Sequence, residues 1–180
     1  MFDFGLPVEE NDNVTAVKSK IKEVEETFDL VLMVEHFDES IVLLKHLLCW
    51  EYSDLTSLRL NIRNEKLKSS ISDKARKMLS DWLSSDYMFY NHFKEQFRKK
   101  IKAFGAEKMA EEVAKFRKIN KAAEKKCPVR HVPKWKLPEW KRPWGSGVMG
   151  FQMLTKGDCH ICHSIFLNNL FALLQKVQGF

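Results

Sequence analysis

Long apolar runs are missing from this sequence. No stretch approaches the roughly 18–20 consecutive apolar residues that a bilayer-crossing helix needs, so no span is visible. Glycine and proline are scarce, with 7 and 5 among 180 residues, which excludes collagen-like and linker-dominated chains. No Gly-x-x-x-x-Gly-Lys-[Ser/Thr] loop occurs, so no phosphate cradle of that kind is present. The opening residues MFDFGLPVEENDN carry neither the basic nor the apolar region of a signal peptide. Taken literally, such a chain is cytosolic. Internal repeats and low-complexity tracts are absent as well.

What is present fits one soluble globular domain. Hydrophobic residues make up 44% and charged residues 30%, and 13 Phe with 5 Trp can build a sizeable core. The net charge of +6 favours anionic partners. With 24 acids against 30 bases, the excess is too small to indicate a nucleic-acid binder.

Helical periodicity dominates. Val14, Val17, Ile21 and Val24 predict a helix over 13–26, with Asn13 as its cap. FDLVLMV (28–34) reads as a buried strand. Asp38 can cap a following helix whose face is Ile41, Leu44 and Leu48. TSLRLNI (56–62) reads as a second strand, giving one β-α-β unit. Two strands make a thin sheet, which suggests a further piece upstream. Ser72 precedes a helix. A longer one starts near Asp86, with Phe89, Phe93, Phe97 and Ile101 four apart, and is interrupted at Gly105. The next carries Met109, Val113 and Phe116 and ends near Cys127-Pro128. Residues 128–147 hold four of the five prolines and three of the five tryptophans and read as irregular. A last helix is expected over 160–177.

Several blocks are more specific. FDLVLMVEHFDESIVLLKHLLCWEYSDL (28–55) resembles a signature of the galactose-3-O-sulfotransferase family, F-D-L-V-L-x-x-E-[YH]-F-D-E-S-L-V-L-L-x-x-L-L-C-W. FDFGL (2–6), LNIRN (60–64), YNHFKEQFRKKIKAFGAEKMAEEVAKFR (90–117) and VMGFQMLTK (148–156) resemble further family blocks, in order. Residues 128–147 and the extreme C-terminus match poorly. The family's membrane anchor, its donor phosphosulfate loop and its Arg/Ser pair for the 3′-phosphate lie upstream of the blocks matched here. Met1 falls inside a family segment, so 1–180 is expected to be the C-terminal part of one sulfotransferase domain.

The resemblance implies an α/β, P-loop-like sulfotransferase fold, of which this part is mostly helical with about two short parallel strands. It implies sulfuryl transfer from 3′-phosphoadenylyl sulfate to the 3-hydroxyl of a terminal galactose, on galactosylceramide or another glycan. The donor is a cosubstrate, and no metal is implied. Partners would be the galactose-ended acceptor and, through an upstream anchor, the Golgi membrane on its lumenal side; no nucleic acid is implied. Without the donor loop the isolated chain is expected to be inactive.

Glu35 follows the apolar run, where open α/β sheets face their ligands. It is a functional carboxylate or a structural ion pair. His36 is a general base by residue type, or an ordinary loop histidine. Glu35 and His36 are the catalytic candidates. Asn61 and Arg63, after the second expected strand, are candidates for substrate binding; Arg63 can fork onto sulfate or form a surface salt bridge. By resemblance to other sulfotransferases, Lys156 and Gly157 are candidates for contact with the donor. Asn13-Val14-Thr15 is a glycosylation sequon, although Asn13 serves equally as a cap.

Other patterns compete. Cys159-His160-Ile161-Cys162-His163 spells a haem-attachment motif and could equally place zinc ligands. Cys127 can instead pair with Cys159 or Cys162 in an oxidising lumen. Cys49, within an apolar helix, is expected to be buried. FRKKIK and FRKINKAAEKK read as solvated helix faces rather than nucleic-acid patches. KWKLPEWKRPW (134–144) reads as a surface-wrapping segment with its Trp side chains tucked in, against sugar stacking or membrane contact. The rival functions are a non-catalytic fragment lacking a donor site, a small metal or haem protein, and a basic nucleic-acid binder.

Overall fold

The structure, a computed structural model, describes residues 1–57, 64, 70–139, 142–143, 148–154 and 162. Its helices are α1 (Val14–Thr27), α2 (Phe37–Leu48), α3 (Asp73–Trp82), α4 (Ser84–Phe104) and α5 (Ala106–Lys126). Two strands follow, β1 (Val129–Val132) and β2 (Gly150–Met153). Single 3-10 turns lie at Phe2–Phe4, Val8–Glu10, Val34–His36 and Lys134–Lys136. The chain divides into two compact units, residues 1–44 with 70–110 and residues 45–69 with 111–180.

In the first unit α1 packs on α4. Asn13 Oδ1 accepts the N–H groups of Thr15 and Ala16 at 3.1 and 3.2 Å, which starts α1 as its spacing predicts. Val17, Ile21 and Val24 are buried, whereas Val14 at the first turn is exposed. They meet Phe93 and Phe97 of α4 in a core that also holds Met1, Leu6 and Met33. Phe89 and Ile101 are partly buried at its margin. The four-residue aromatic spacing on α4 is thus a packing stripe. Ser72 Oγ caps α3 through Ala75 N at 3.3 Å. Gly105 separates α4 from α5 at φ +95°, backbone that side chains with a Cβ rarely adopt.

The expected parallel strands are not what forms. Residues 28–33 contain no strand, and neither do 56 and 57; the rest of the second expected strand lies outside the described residues. Residues 28–33 carry the apolar side chains of a strand but lack its pairing. Both backbone groups of buried Met33 turn to one side chain. Met33 N–H donates to Ser40 Oγ at 3.0 Å, and the Ser40 hydroxyl donates to Met33 O at 3.1 Å. The sheet that does form is antiparallel, β1 against β2, with Val129 opposite Met153 and Val132 opposite Gly150.

The second unit contains that hairpin. Leu154 N–H donates to Pro128 O at 2.9 Å, and Arg130 Nη2 bonds Gln152 Oε1 at 2.9 Å across the strands. Buried Leu137 lies over Gly150 so closely that a Cβ there would sit 2.1 Å from Leu137 Cδ1. A disulfide joins Cys127 to Cys162, packed beside Val129 and Met153. It settles the open pairing and makes a thioether or zinc ligand of Cys162 incompatible with this structure. Cys159, His160 and His163, and the helix expected over 160–177, lie outside the described residues.

Four local expectations change. Cys49 is exposed and free rather than buried: it follows α2 in left-handed backbone at φ +53°, where Trp50 N–H closes the helix onto Lys45 O. On α2 the buried residues are Ser40, Ile41 and Val42, while Leu48 is exposed. Trp135 is 71% exposed rather than tucked in. Asp38 is the second residue of α2, so it lies in the first turn instead of capping it. No helix among the described residues is long and apolar enough to cross a membrane.

Candidate functional site

The signature block brings Glu35 and His36 onto the 3-10 turn that leads into α2. The turn is pinned from behind. His36 N–H donates to Met33 O at 3.0 Å, the same carbonyl that accepts from Ser40. Apolar Met33 is sunk into the core while Val34 and Glu35 remain exposed. A buried anchor thus presents a carboxylate and an imidazole side by side.

α4 supplies their partners. The Tyr90 hydroxyl donates to Glu35 Oε1. Lys94 Nζ lies 3.2 Å from that hydroxyl, 3.9 Å from Glu35 Oε1 and 5.1 Å above the Tyr90 ring. The His36 ring stacks on buried Phe97, centroids 5.8 Å apart, and its Nδ1 is 3.9 Å from Glu39 Oε1. Tyr90, Lys94 and Phe97 share one face of α4 by their four- and three-residue spacing. Tyr90's hydroxyl, with smaller help from Glu35's own backbone N–H, Lys94 and His36, holds the Glu35 carboxyl below its ordinary range. Glu35 therefore stays a carboxylate near neutral pH and is already engaged as an acceptor. Such a group holds and orients; it is a weak proton acceptor.

A second polar cluster lies in the other unit. Tyr52, 5% exposed, donates to Glu112 Oε2 at 2.7 Å, and Lys115 Nζ donates to Glu112 Oε1 at 2.6 Å. His46 Nε2 is 3.5 Å from the same carboxylate, and Lys45 Nζ lies 4.9 Å over the Tyr52 ring. Bonds from Lys115 and Tyr52 bring Glu112 down to about 2. Burial, then the bond to Glu112, pushes the Tyr52 hydroxyl up. Neither group exchanges protons near neutral pH, so the cluster is a fastening.

The remaining candidates fall elsewhere. Asn61, Arg63, Lys156 and Gly157 lie outside the described residues. Asn13 is exposed at the start of α1. No three His, Cys, Asp or Glu side chains among the described residues are grouped to hold a metal ion.

The galactose-3-O-sulfotransferase family model matches residues 1–135. The chain belongs to this family. Galactosylceramide sulfotransferase from Bos taurus is 40% identical over 126 residues, which cover 70% of this chain and 30% of the relative. The Homo sapiens protein of that name is also 40% identical over 126 residues, with the same coverage. Galactose-3-O-sulfotransferase 2 from Sus scrofa is 31% identical over 159 residues, 84% of this chain and 39% of the relative. The chain thus spans about a third of the length of these curated relatives. No solved structure matches.

For this family member, reading the sequence alone singled out Glu35 and His36 but missed Tyr90, Lys94 and Phe97. Their signal was present. All three lie in the 90–117 block that carries the family resemblance, and a tyrosine and lysine four apart on a helix are neighbours.

Proposed function

We propose that this chain is the acceptor-side part of one sulfotransferase domain. The reaction moves a sulfuryl group from 3′-phosphoadenylyl sulfate to the 3-hydroxyl of a terminal galactose on a glycolipid or glycan. The acceptor oxygen bonds to sulfur as the bond from sulfur to the donor's phosphate oxygen breaks. The hydroxyl proton passes to a base, and 3′-phosphoadenosine 5′-phosphate leaves. Charge on the equatorial oxygens calls for cations and an in-line approach, as in phosphoryl transfer.

The observation that carries this reading is the Glu35–His36 pair, pinned by Met33 and backed by α4, in a chain that belongs to the family. His36 is the proton acceptor in this scheme. Glu35 orients the acceptor and fixes Tyr90 and Lys94. Asn61 and Arg63 are assigned to the acceptor and its incoming sulfate, and Lys156 and Gly157 to the donor. The donor's main phosphate loop comes from sequence outside this chain, so the 180 residues alone are expected to be inactive. The Cys127–Cys162 disulfide supports a Golgi lumenal location, since such bonds persist in oxidising compartments.

The test is sulfate transfer to a β-galactoside by a protein of the relatives' full length that carries this chain. His36→Ala should lower kcat by roughly 100-fold or more, the usual scale for losing a general base. Glu35→Gln should also cut turnover while leaving the fold intact. Full turnover in both variants removes the pair from the site.

A further inference from the structure

Ser40 lies in the first turn of α2, and its hydroxyl hydrogen-bonds neither Glu35 nor His36. A hydroxyl accepts and donates at once. Ser40, 2% exposed, spends both capacities on one residue: Met33 N–H donates to it, and it donates to Met33 O. The same carbonyl accepts His36 N–H. Met33 O is therefore a branch point, tied across to α2 and forward to the backbone of the histidine. Without the hydroxyl, the N–H of buried Met33 has no partner among the described residues.

Two sides of the turn are held by different means. From α4, Phe97 carries the His36 ring and Tyr90 holds the Glu35 carboxylate. From α2, Ser40 holds the backbone between them. Its own place is fixed by the next two residues, Ile41 and Val42, both buried, so α2 cannot turn about its axis without uncovering them. A misplacement of about 1 Å at a reacting group costs on the order of 100-fold in rate.

We infer that Ser40 is a positioning residue for sulfuryl transfer: acting through Met33, its hydroxyl fixes the 34–36 turn so that the His36 imidazole and the Glu35 carboxylate address the acceptor hydroxyl together. The inference rests on the sulfotransferase reading above. It also sets a chemical requirement at position 40. Alanine removes both bonds, threonine keeps the hydroxyl, and cysteine keeps the volume with a weak donor and a weak acceptor. Glu35 supplies a readout apart from activity. Its carboxyl is held below the ordinary range by Tyr90 first and next by its own backbone N–H, which belongs to the turn. Ser40 makes neither bond, so a change there reports the turn itself.

The test compares Ser40→Ala, Ser40→Thr and Val42→Ala in a protein of the relatives' full length that carries this chain, assayed well below each variant's Tm. Val42 is fully buried on the same helix and separates lost stability from lost position. Ser40→Ala should lower kcat by about 10–100-fold and move the acceptor KM by less than about threefold. Ser40→Thr should recover most of that loss, whereas Val42→Ala should lower the Tm and leave kcat near wild type. If Ser40→Ala does not fold, Ser40→Cys takes its place. In the 180-residue chain, carbon-detected NMR should find Glu35 titrating closer to 4.5 in Ser40→Ala than in wild type. Wild-type kcat in Ser40→Ala overturns the inference, as does an equal loss in Val42→Ala, a threonine variant no better than alanine, or an unmoved Glu35. Failure of the broader reading looks different: His36→Ala itself keeps full turnover while the Glu35 shift persists. Turnover lost in His36→Ala but intact in Ser40→Ala would sink the positioning role alone.

Discussion

The Tyr52 hydroxyl donates to Glu112 Oε2 at 2.7 Å, joining residues 60 positions apart. The bond fastens the segment after α2 to the face of α5 that carries buried Val113 and Phe116, the latter 5.7 Å from the Tyr52 ring. A carboxylate with only 12% of its side chain exposed is tolerable here because Lys115 and Tyr52 satisfy its two oxygens.

Removing that hydroxyl should therefore be costly. Tyr52→Phe is expected to destabilise by about 1.5–3 kcal/mol, the range for hydrogen bonds to charged groups, read from urea unfolding. The pH dependence has a definite sign. Glu112 is held at about 2 in the fold against an ordinary 4.5. Its contribution is complete above about pH 4.5 and is lost as pH falls toward 2. Glu112→Gln should flatten the unfolding midpoint across that window. An equal slope in wild type and variant would refute the assignment.

The Glu35 carboxyl should move when its main partner is removed. The Tyr90 hydroxyl is the largest cause of its lowered value. Tyr90→Phe should return Glu35 toward 4.5, and Lys94→Met should shift it less because Lys94 acts only through its charge. Carbon-detected NMR titration of the side-chain carboxyl gives both numbers. A larger effect from Lys94→Met would reverse the order of causes.

The disulfide closes a loop between residues 35 apart in sequence. Chain entropy alone assigns such a loop about 3–4 kcal/mol. Cys162→Ser should lower the Tm, and reductant should lower the wild-type Tm to a similar value. A Tm indifferent to reductant would mean that the closed loop adds nothing to stability.

How much of this was legible in the sequence depended on whether the signal was local. α1, α3, α4 and α5 follow from caps and periodicity, since Asn13, Ser72, the α4 aromatics and Gly105 act within a few residues. The segment 28–34 misled because apolar β-branched residues fit both a strand and an unpaired segment in which Met33 alone is buried. The difference lies in Ser40, whose hydroxyl takes both backbone groups of Met33. The antiparallel hairpin was hidden by its own surroundings. Val129–Val132 is four residues long and bounded by Pro128 and Pro133, so composition reads as irregular. Glu35 and His36 were visible through the signature block, whereas Tyr90 and Phe97 became relevant only once α4 was placed beside it.

Asn13 joins two roles that act through different atoms. The side-chain oxygen caps α1, whereas a glycan would attach to Nδ2, which donates to Glu10 Oε2 at 2.7 Å. One amide hydrogen remains after attachment, and the capping oxygen is untouched. Glycosylation at Asn13 is therefore expected to leave α1 intact. The two roles separate cleanly by substitution. Thr15→Ala removes the sequon and keeps the cap; Asn13→Ala removes both and should cost about 1 kcal/mol of stability. Secreted from a eukaryotic host behind a signal peptide, the wild-type chain should shift in mobility on glycosidase treatment. Neither variant should shift, and of the two only Asn13→Ala should lower the Tm. Absence of a shift in the wild type would leave Asn13 with the cap alone.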